Sequence, residues 1–118
     1  MKYDKNNIFA KILRGEIPCK AVYEDEFALA FNDIEPATPI HVIVIPKAEY
    51  ISFDDFAQQS SPDFLAGFFS AVQKVATKVG AVGSGYRIIS NHGIDASQSV
   101  AHFHVHILAG KKLGGLLP

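Results

Sequence analysis

Apolar and polar positions alternate strictly over residues 101–108, Ala-His-Phe-His-Val-His-Ile-Leu. A period of two belongs to an extended strand, whose successive side chains leave opposite faces. The pattern predicts a strand that sends Phe103, Val105 and Ile107 into a core. His102, His104 and His106 then stand in line on the opposite surface. Earlier in the chain the period changes. Asn7 is placed to cap a short helix over 7–13, with Ile8, Phe9, Ile12 and Leu13 on one side, and Gly15 and Pro18 follow as stop signals. Strands are predicted over 20–24 and 27–32, joined by the polar turn Glu24-Asp25-Glu26. Phe27, Leu29 and Phe31 share one face of the second, and Asp33 falls on that side if the strand reaches it.

Pro39 and Pro46 bracket a third strand over 40–45. Val42 and Val44 face one way, Ile43 and Ile45 the other, so both faces are apolar and the strand is predicted to be central. Residues 54–61 read as a polar connection. Ser61-Pro62-Asp63 then opens a long helix with a capping hydroxyl, a first-turn proline and an acid at the positive end of the dipole. Phe64, Leu65, Phe68, Phe69, Val72, Val75, Ala76 and Val79 keep helical spacing as far as Gly80. That apolar stripe is broad, which points to a partner surface. A fourth strand over 86–91 leads through the polar turn 91–99 into the histidine strand, so the last two strands are predicted to be antiparallel neighbours. The glycine-rich tail 110–118 reads as loose or docked on a partner.

The 118 residues suit a single domain over 1–118, and 48% hydrophobic content is enough for a core. A formal net charge of −1 gives no reason to expect nucleic-acid or membrane binding. Cys19 is the only cysteine, so no internal disulfide can form, and its expected role is a small apolar filler. With no signal-peptide pattern and no membrane-length apolar run, a cytoplasmic location is expected.

Histidine clusters suggest metal binding, so that chemistry is weighed first. Alternate strand residues lie about 6.6 Å apart, which separates His102 from His106 by about 13 Å. Zinc–nitrogen bonds are about 2.0–2.1 Å long, so all three cannot readily share one zinc. A pair such as His104 and His106 could do so with His41 or Asp33 completing the set. Nucleophilic chemistry fits the row better. One imidazole attacks phosphorus while its neighbours hold its tautomer and donate to phosphoryl oxygens. Closely packed histidines titrate as a coupled set, which keeps one nitrogen free near neutral pH. The amides of Ser97-Gln98-Ser99 and the Ser99 hydroxyl are candidate phosphate contacts. Taken alone, Asp33 also reads as a solvated turn carboxylate, His41 as a packed side chain, and the Ser97–Ser99 loop as an ordinary turn.

The run His102-Phe103-His104-Val105-His106-Ile107-Leu108 resembles the signature of the histidine triad family, in which histidines alternate with apolar residues. Further stretches resemble that family and, within it, the HINT branch. They are Ile8-Phe9-Ala10-Lys11-Ile12 with Glu16-Ile17-Pro18, Phe31-Asn32-Asp33-Ile34, residues 39–47, Gly85-Tyr86-Arg87, Asn91-His92-Gly93 and Gln98-Ser99-Val100. The resemblance implies an α+β fold: a five-stranded antiparallel sheet with two helices, pairing into a homodimer with a continuous sheet. It implies a hydrolase acting on the α-phosphate of purine nucleoside 5′-phosphoramidates such as AMP-lysine. In that pattern His104 is the nucleophile and forms a nucleotidyl-imidazole intermediate. His102 and His106 support it and bind phosphate, with His41 packed behind. Asn91, Gln98 and Ser99 contact phosphate or leaving group, Asp33 accepts from the ribose, and Phe9, Ile12, Phe31 and Ile34 form the slot for the base. No metal and no cofactor is required. A dinucleoside polyphosphate hydrolase and a non-catalytic nucleotide-binding module are the alternatives.

Three departures from the family pattern stand out. Ala96-Ser97 replaces the glycines that usually precede the matched glutamine. Glu49 stands where many members carry a histidine, which a structural zinc uses in some of them. The tail lacks the tryptophan-proline ending of some HINT proteins.

Overall fold

The computed structural model describes residues 2–116. Leu117 and Pro118, part of the tail read above as loose or docked, lie outside the described residues. The chain forms α1 (Ile8–Leu13), β1 (Ala21–Glu24), β2 (Ala28–Asn32), β3 (Ile40–Pro46), α2 (Phe53–Gln59), α3 (Pro62–Lys78), β4 (Arg87–Ile89) and β5 (Val105–Ala109). The five strands make one antiparallel sheet in the order β1-β2-β3-β5-β4. β3 is central, as its two apolar faces require. Among the described residues no helix is long and apolar enough to cross a membrane.

The sheet separates two apolar layers. On one face Ala28, Ala30, Val42, Val44, Phe103, Val105 and Ile107 pack under α2 and α3, against Phe56, Phe68, Val72 and Val75. On the other face Leu29, Phe31, Ile43 and Ile45 pack with Phe9 of α1. Strand alternation alone sorts these residues, because neighbours in the chain serve opposite layers. The caps of α1 and α3 are as predicted: Asn7 Oδ1 accepts from the Ala10 amide at 2.9 Å, and Ser61 Oγ from the Phe64 amide at 3.1 Å.

Four local expectations need correction. The connection over 54–61 contains a helix, α2. Its signal was Ser52-Phe53-Asp54-Asp55, a capping pattern with an acid three residues after the cap. The Asp55 carboxylate accepts from the amides of Ile51 and Ser52, each at 2.8 Å. Phe27 does not share a face with Leu29 and Phe31. Asp25 Oδ1 accepts from the amides of Phe27 and Ala28 at 2.8 and 3.0 Å, so residue 27 still belongs to the turn. Its ring packs edge-on against Phe64 and fills the space where Gly67 has no side chain. Cys19 is exposed rather than a filler. The described part of the tail is tied down, because the Arg87 guanidinium donates to the carbonyls of Gly114 and Gly115 at 3.0 and 3.5 Å.

Candidate active site

Only His106 lies within a regular strand. His102 and His104 precede β5 in extended backbone, yet they keep the alternation. The Phe103 amide donates to the Tyr50 carbonyl at 2.7 Å, and Ser90 Oγ donates to the His104 carbonyl at 2.9 Å. These bonds replace the missing ladder. Phe103 enters the α2–α3 layer, and the imidazoles face the α1 side. The row is not an open surface, however. His102 is 0% exposed and His104 4%, covered by Phe9 of α1, whose ring meets that of His104 edge-on at 5.0 Å.

The hydrogen bonds assign every tautomer in the neutral row. A carbonyl only accepts, so His104 Nδ1 must donate to the His102 carbonyl, 2.8 Å away. The Nε2 of neutral His104 is left with a free lone pair. The Ala37 amide donates to His41 Nδ1 at 2.9 Å, so His41 carries its proton on Nε2 and donates to His106 Nδ1 at 2.9 Å. His106 therefore carries its own proton on Nε2. His102 donates from Nε2 to the Pro46 carbonyl at 3.1 Å and accepts at Nδ1 from the Tyr3 hydroxyl at 2.6 Å. One ring thus offers a lone pair, its neighbour offers an N–H, and the other two rings are fully engaged.

Burial holds the row neutral. It pushes the His102 pKa down to about 4 against the opposing pull of the Pro46 carbonyl. It also lowers His106 to about 4, aided by the nearby His104 and His41, and it lowers His104. In the unfolded chain these groups titrate near 6.5. Between about pH 6.5 and 4 the unfolded chain therefore binds protons that the native chain refuses. The contribution is fully present above pH 6.5 and is lost as pH falls toward 4, amounting to roughly 3 kcal/mol for His102. Urea midpoints are expected to stay level above about pH 7 and to fall steeply between about pH 6 and 4.5.

A cavity of about 610 Å³ opens over the row. His104, His106, Asp33, Ser99, Phe9, Ile12, Phe31 and Ile34 all line it, which brings together eight of the residues singled out from sequence. Its size and mainly apolar walls suit a small organic ligand. Ile34 is 92% exposed, an apolar side chain left in water at the mouth. Asp33 Oδ2 lies 3.4 Å from His41 Nε2, while Oδ1 accepts from the Glu35 amide at 2.8 Å. Sequence reasoning missed Cys19, Lys20 and Val100 on the lining. A second hollow of about 510 Å³ lies beyond Ile12 and Ile17, and no histidine borders it.

The other expected site residues stand elsewhere. Both nitrogens of His102 are engaged, by the Tyr3 hydroxyl and the Pro46 carbonyl, and it does not line the cavity. His41 sits behind His106 and does not line the cavity. Asn91 and Gln98 do not line it either. Asn91 Nδ2 donates to the Ala96 carbonyl at 2.8 Å. Gln98 Oε1 accepts from the Gly93 amide at 3.0 Å, and its Nε2 donates to the carbonyls of Ile51 and Val100 at 2.6 and 3.0 Å. These two side chains shape the loop and clamp it to the segment before α2. Ser97 takes φ 59°, the one non-glycine residue with positive φ among the described residues, so the loop keeps a glycine-like conformation without glycine. Glu49 is exposed and lies 4.0 Å from Lys5.

One donor atom from each of Asp33, His41 and His106 lies within 4.8 Å of the others, a spacing that could hold a cation. The chemistry of the donors opposes it. A metal on His41 Nε2, with the Ala37 amide still donating to Nδ1, would require an imidazolate. The cluster is better described as a hydrogen-bonded relay.

Fold and site together define an α+β protein in which a neutral imidazole with a free Nε2 lone pair lines a cavity of small-molecule size. The sequence profile of the HIT domain matches residues 14–113. An uncharacterised HIT-like protein of Azospirillum brasilense is 54% identical over 115 residues, covering 98% of this chain and 94% of that one. One of Rickettsia prowazekii is 47% identical over 115 residues, covering 98% and 96%. A histidine triad protein from Clostridium difficile superposes with a TM-score of 0.86 at 43% identity, covering 98% of both chains. A HIT family hydrolase from Clostridium thermocellum superposes at 0.84 and 36% identity, covering 98% of this chain and 99% of that one. The chain belongs to the HIT domain family.

Proposed function

We propose that this protein is a cytoplasmic nucleotide hydrolase of the HINT-like branch, cleaving purine nucleoside 5′-phosphoramidates at the α-phosphate. The carrying observation is the His104 Nδ1–H bond to the His102 carbonyl, which leaves the Nε2 lone pair free in a ring that lines the cavity. In this reading Nε2 attacks phosphorus, the phosphorus–nitrogen bond breaks, and its electron pair leaves with the amine. His106 Nε2–H is the donor that the row offers to a phosphoryl oxygen or to the departing amine. Water then cleaves the nucleotidyl-His104 bond and releases the nucleotide. Ser99 adds a hydroxyl on the phosphate side. Asp33, at the cavity wall with its carboxylate held by the Glu35 amide, accepts from the ribose hydroxyls. Phe9, Ile12, Phe31 and Ile34 enclose the base. The relay from Ala37 through His41 to His106 fixes the donor without a metal or cofactor.

A homodimer with a continuous sheet accompanies this reading. β4 is an edge strand, and Phe53, Phe69 and Ile88 stay exposed beside it around a hollow of about 170 Å³.

A competition experiment tests the substrate class. An AMP-amide and AMP-lysine are expected to be consumed ahead of diadenosine polyphosphate, with an AMP adduct on the protein visible by rapid-quench mass spectrometry. Preference for the polyphosphate would move the protein to that activity. AMP binding without turnover of any phosphoramidate would make it a non-catalytic nucleotide-binding module.

A further inference from the structure

We propose that Tyr3 is a positioning residue for the imidazole row, its hydroxyl holding His102 and, through the His102 carbonyl, aiming His104. The inference deepens the catalytic reading of His104 above and rests on it. Tyr3 lies in the segment before α1, outside residues 14–113, the span the HIT domain profile matches.

His102 is pinned at three points. Tyr3 Oη donates to Nδ1 at 2.6 Å, Nε2 donates to the Pro46 carbonyl at 3.1 Å, and the backbone carbonyl accepts from His104 Nδ1 at 2.8 Å. The third bond selects the His104 tautomer with a free Nε2. The first two decide where that carbonyl stands. The His102 ring is 0% exposed, so water cannot replace a missing donor. Without the hydroxyl, Nδ1 faces dry protein with no partner. The proton can move to Nδ1, but then two acceptors face each other at Pro46. Alternatively, the ring turns away. Either response shifts the carbonyl on which His104 depends.

The segment carrying Tyr3 is itself held. Asn7 Nδ2 donates to the Asp4 carbonyl at 2.8 Å, the Asn6 amide to Asp4 Oδ1 at 2.9 Å, and Arg14 Nη1 to the Lys5 carbonyl at 2.8 Å. Asn7 caps the start of α1 and Arg14 its end, so the segment is tied to both ends of the helix that covers the cavity. The Tyr3 ring meets that of His102 edge-on, with centroids 5.7 Å apart.

Tyr3→Phe keeps that edge contact and removes only the donor. The expected result is a fall in kcat for an AMP-amide of about ten-fold, with KM changed less than about two-fold. Imidazole ¹⁵N spectra of the free protein should show His102 protonated on Nε2 in the wild type and a mixture of tautomers in Tyr3→Phe. Lys5→Ala, which removes only the exposed approach to Glu49, should alter neither readout. Unchanged His102 nitrogen shifts in Tyr3→Phe would overturn the proposal, whatever happens to the rate. A raised KM at constant kcat would overturn it too, since Tyr3 would then serve binding. If the wild type turns over no phosphoramidate, the catalytic reading fails on its own, and the nitrogen spectra still decide whether Tyr3 sets the tautomer.

Discussion

His104→Ala is expected to lower kcat for an AMP-amide by about 10⁴-fold or more, while AMP still binds within a few-fold of the wild type. The two effects separate because the residue has two kinds of neighbour. The walls of the proposed nucleotide slot are Phe9, Ile12, Phe31, Ile34 and Asp33, none of which hydrogen-bonds to the His104 ring. The proposed attack uses its Nε2, and no other ring in the row has a free nitrogen lone pair in its neutral form. His106→Ala should be milder, since it removes a donor and leaves the nucleophile. The measurements are steady-state kinetics for the rate, calorimetric titration with AMP for binding, and intact-mass spectra for the adduct. An adduct that persists in His104→Ala would place the nucleophile on another residue.

Phe56→Ala is expected to destabilise the protein by about 3–5 kcal/mol, a fall in Tm of roughly 10–20 °C. Phe56 is 0% exposed and lies on α2. Its ring stacks on Phe103 with centroids 4.3 Å apart and planes 17° from parallel, and it meets Phe68 edge-on at 5.2 Å. Removing it opens a void bordered by rings that cannot all collapse inward. Phe103 is the residue between His102 and His104, so the void lies directly behind the row. A loss of activity beyond the unfolded fraction is therefore expected at temperatures where the variant remains folded. Thermal and urea unfolding, followed alongside activity, check both parts. A change in Tm under about 3 °C would show that the layer repacks without Phe56.

Much of the sheet was legible because its signals are local. The alternation at 102–107, the two-sided apolar run of β3 and the proline bracket around it predicted which strand is central and which face the imidazoles take. Asn7 and Ser61 announced two helices through capping, joined to apolar helical spacing and a glycine stop. The Asp55 cap announced the third equally locally, but the acidic and glutamine residues around it read as solvent-facing loop. Phe27 defeated the same logic. One carboxylate two residues earlier claimed its amide, and the alternation started a position later than its apolar side chain suggested.

Within the site the division is sharper. The side chains that line the cavity come from stretches whose period already aimed them there: Phe9 and Ile12 on α1, Phe31 on β2 with Asp33 just past its end, His104 and His106 on the row. Asn91 Nδ2, both polar atoms of Gln98 and both ring nitrogens of His102 hydrogen-bond to other parts of the protein, and none of the three residues lines the cavity.

What the sequence determined by itself was the strand period, the histidine row and the set of walls around it, because each is written in residues next to or near one another. Only the tertiary structure decided the protonation pattern of the row. The partners that choose the tautomers are Tyr3 and the Pro46 carbonyl for His102, the Ala37 amide for His41 and the His102 carbonyl for His104; the first two, and the His41–His106 contact, join residues far apart in the chain. The long-range contacts form only after β3 and β5 have paired in register and the segment before α1 has folded over the row. A ring nitrogen takes its role from whichever group faces it in the folded protein, and a chain of residue names cannot state which group that is.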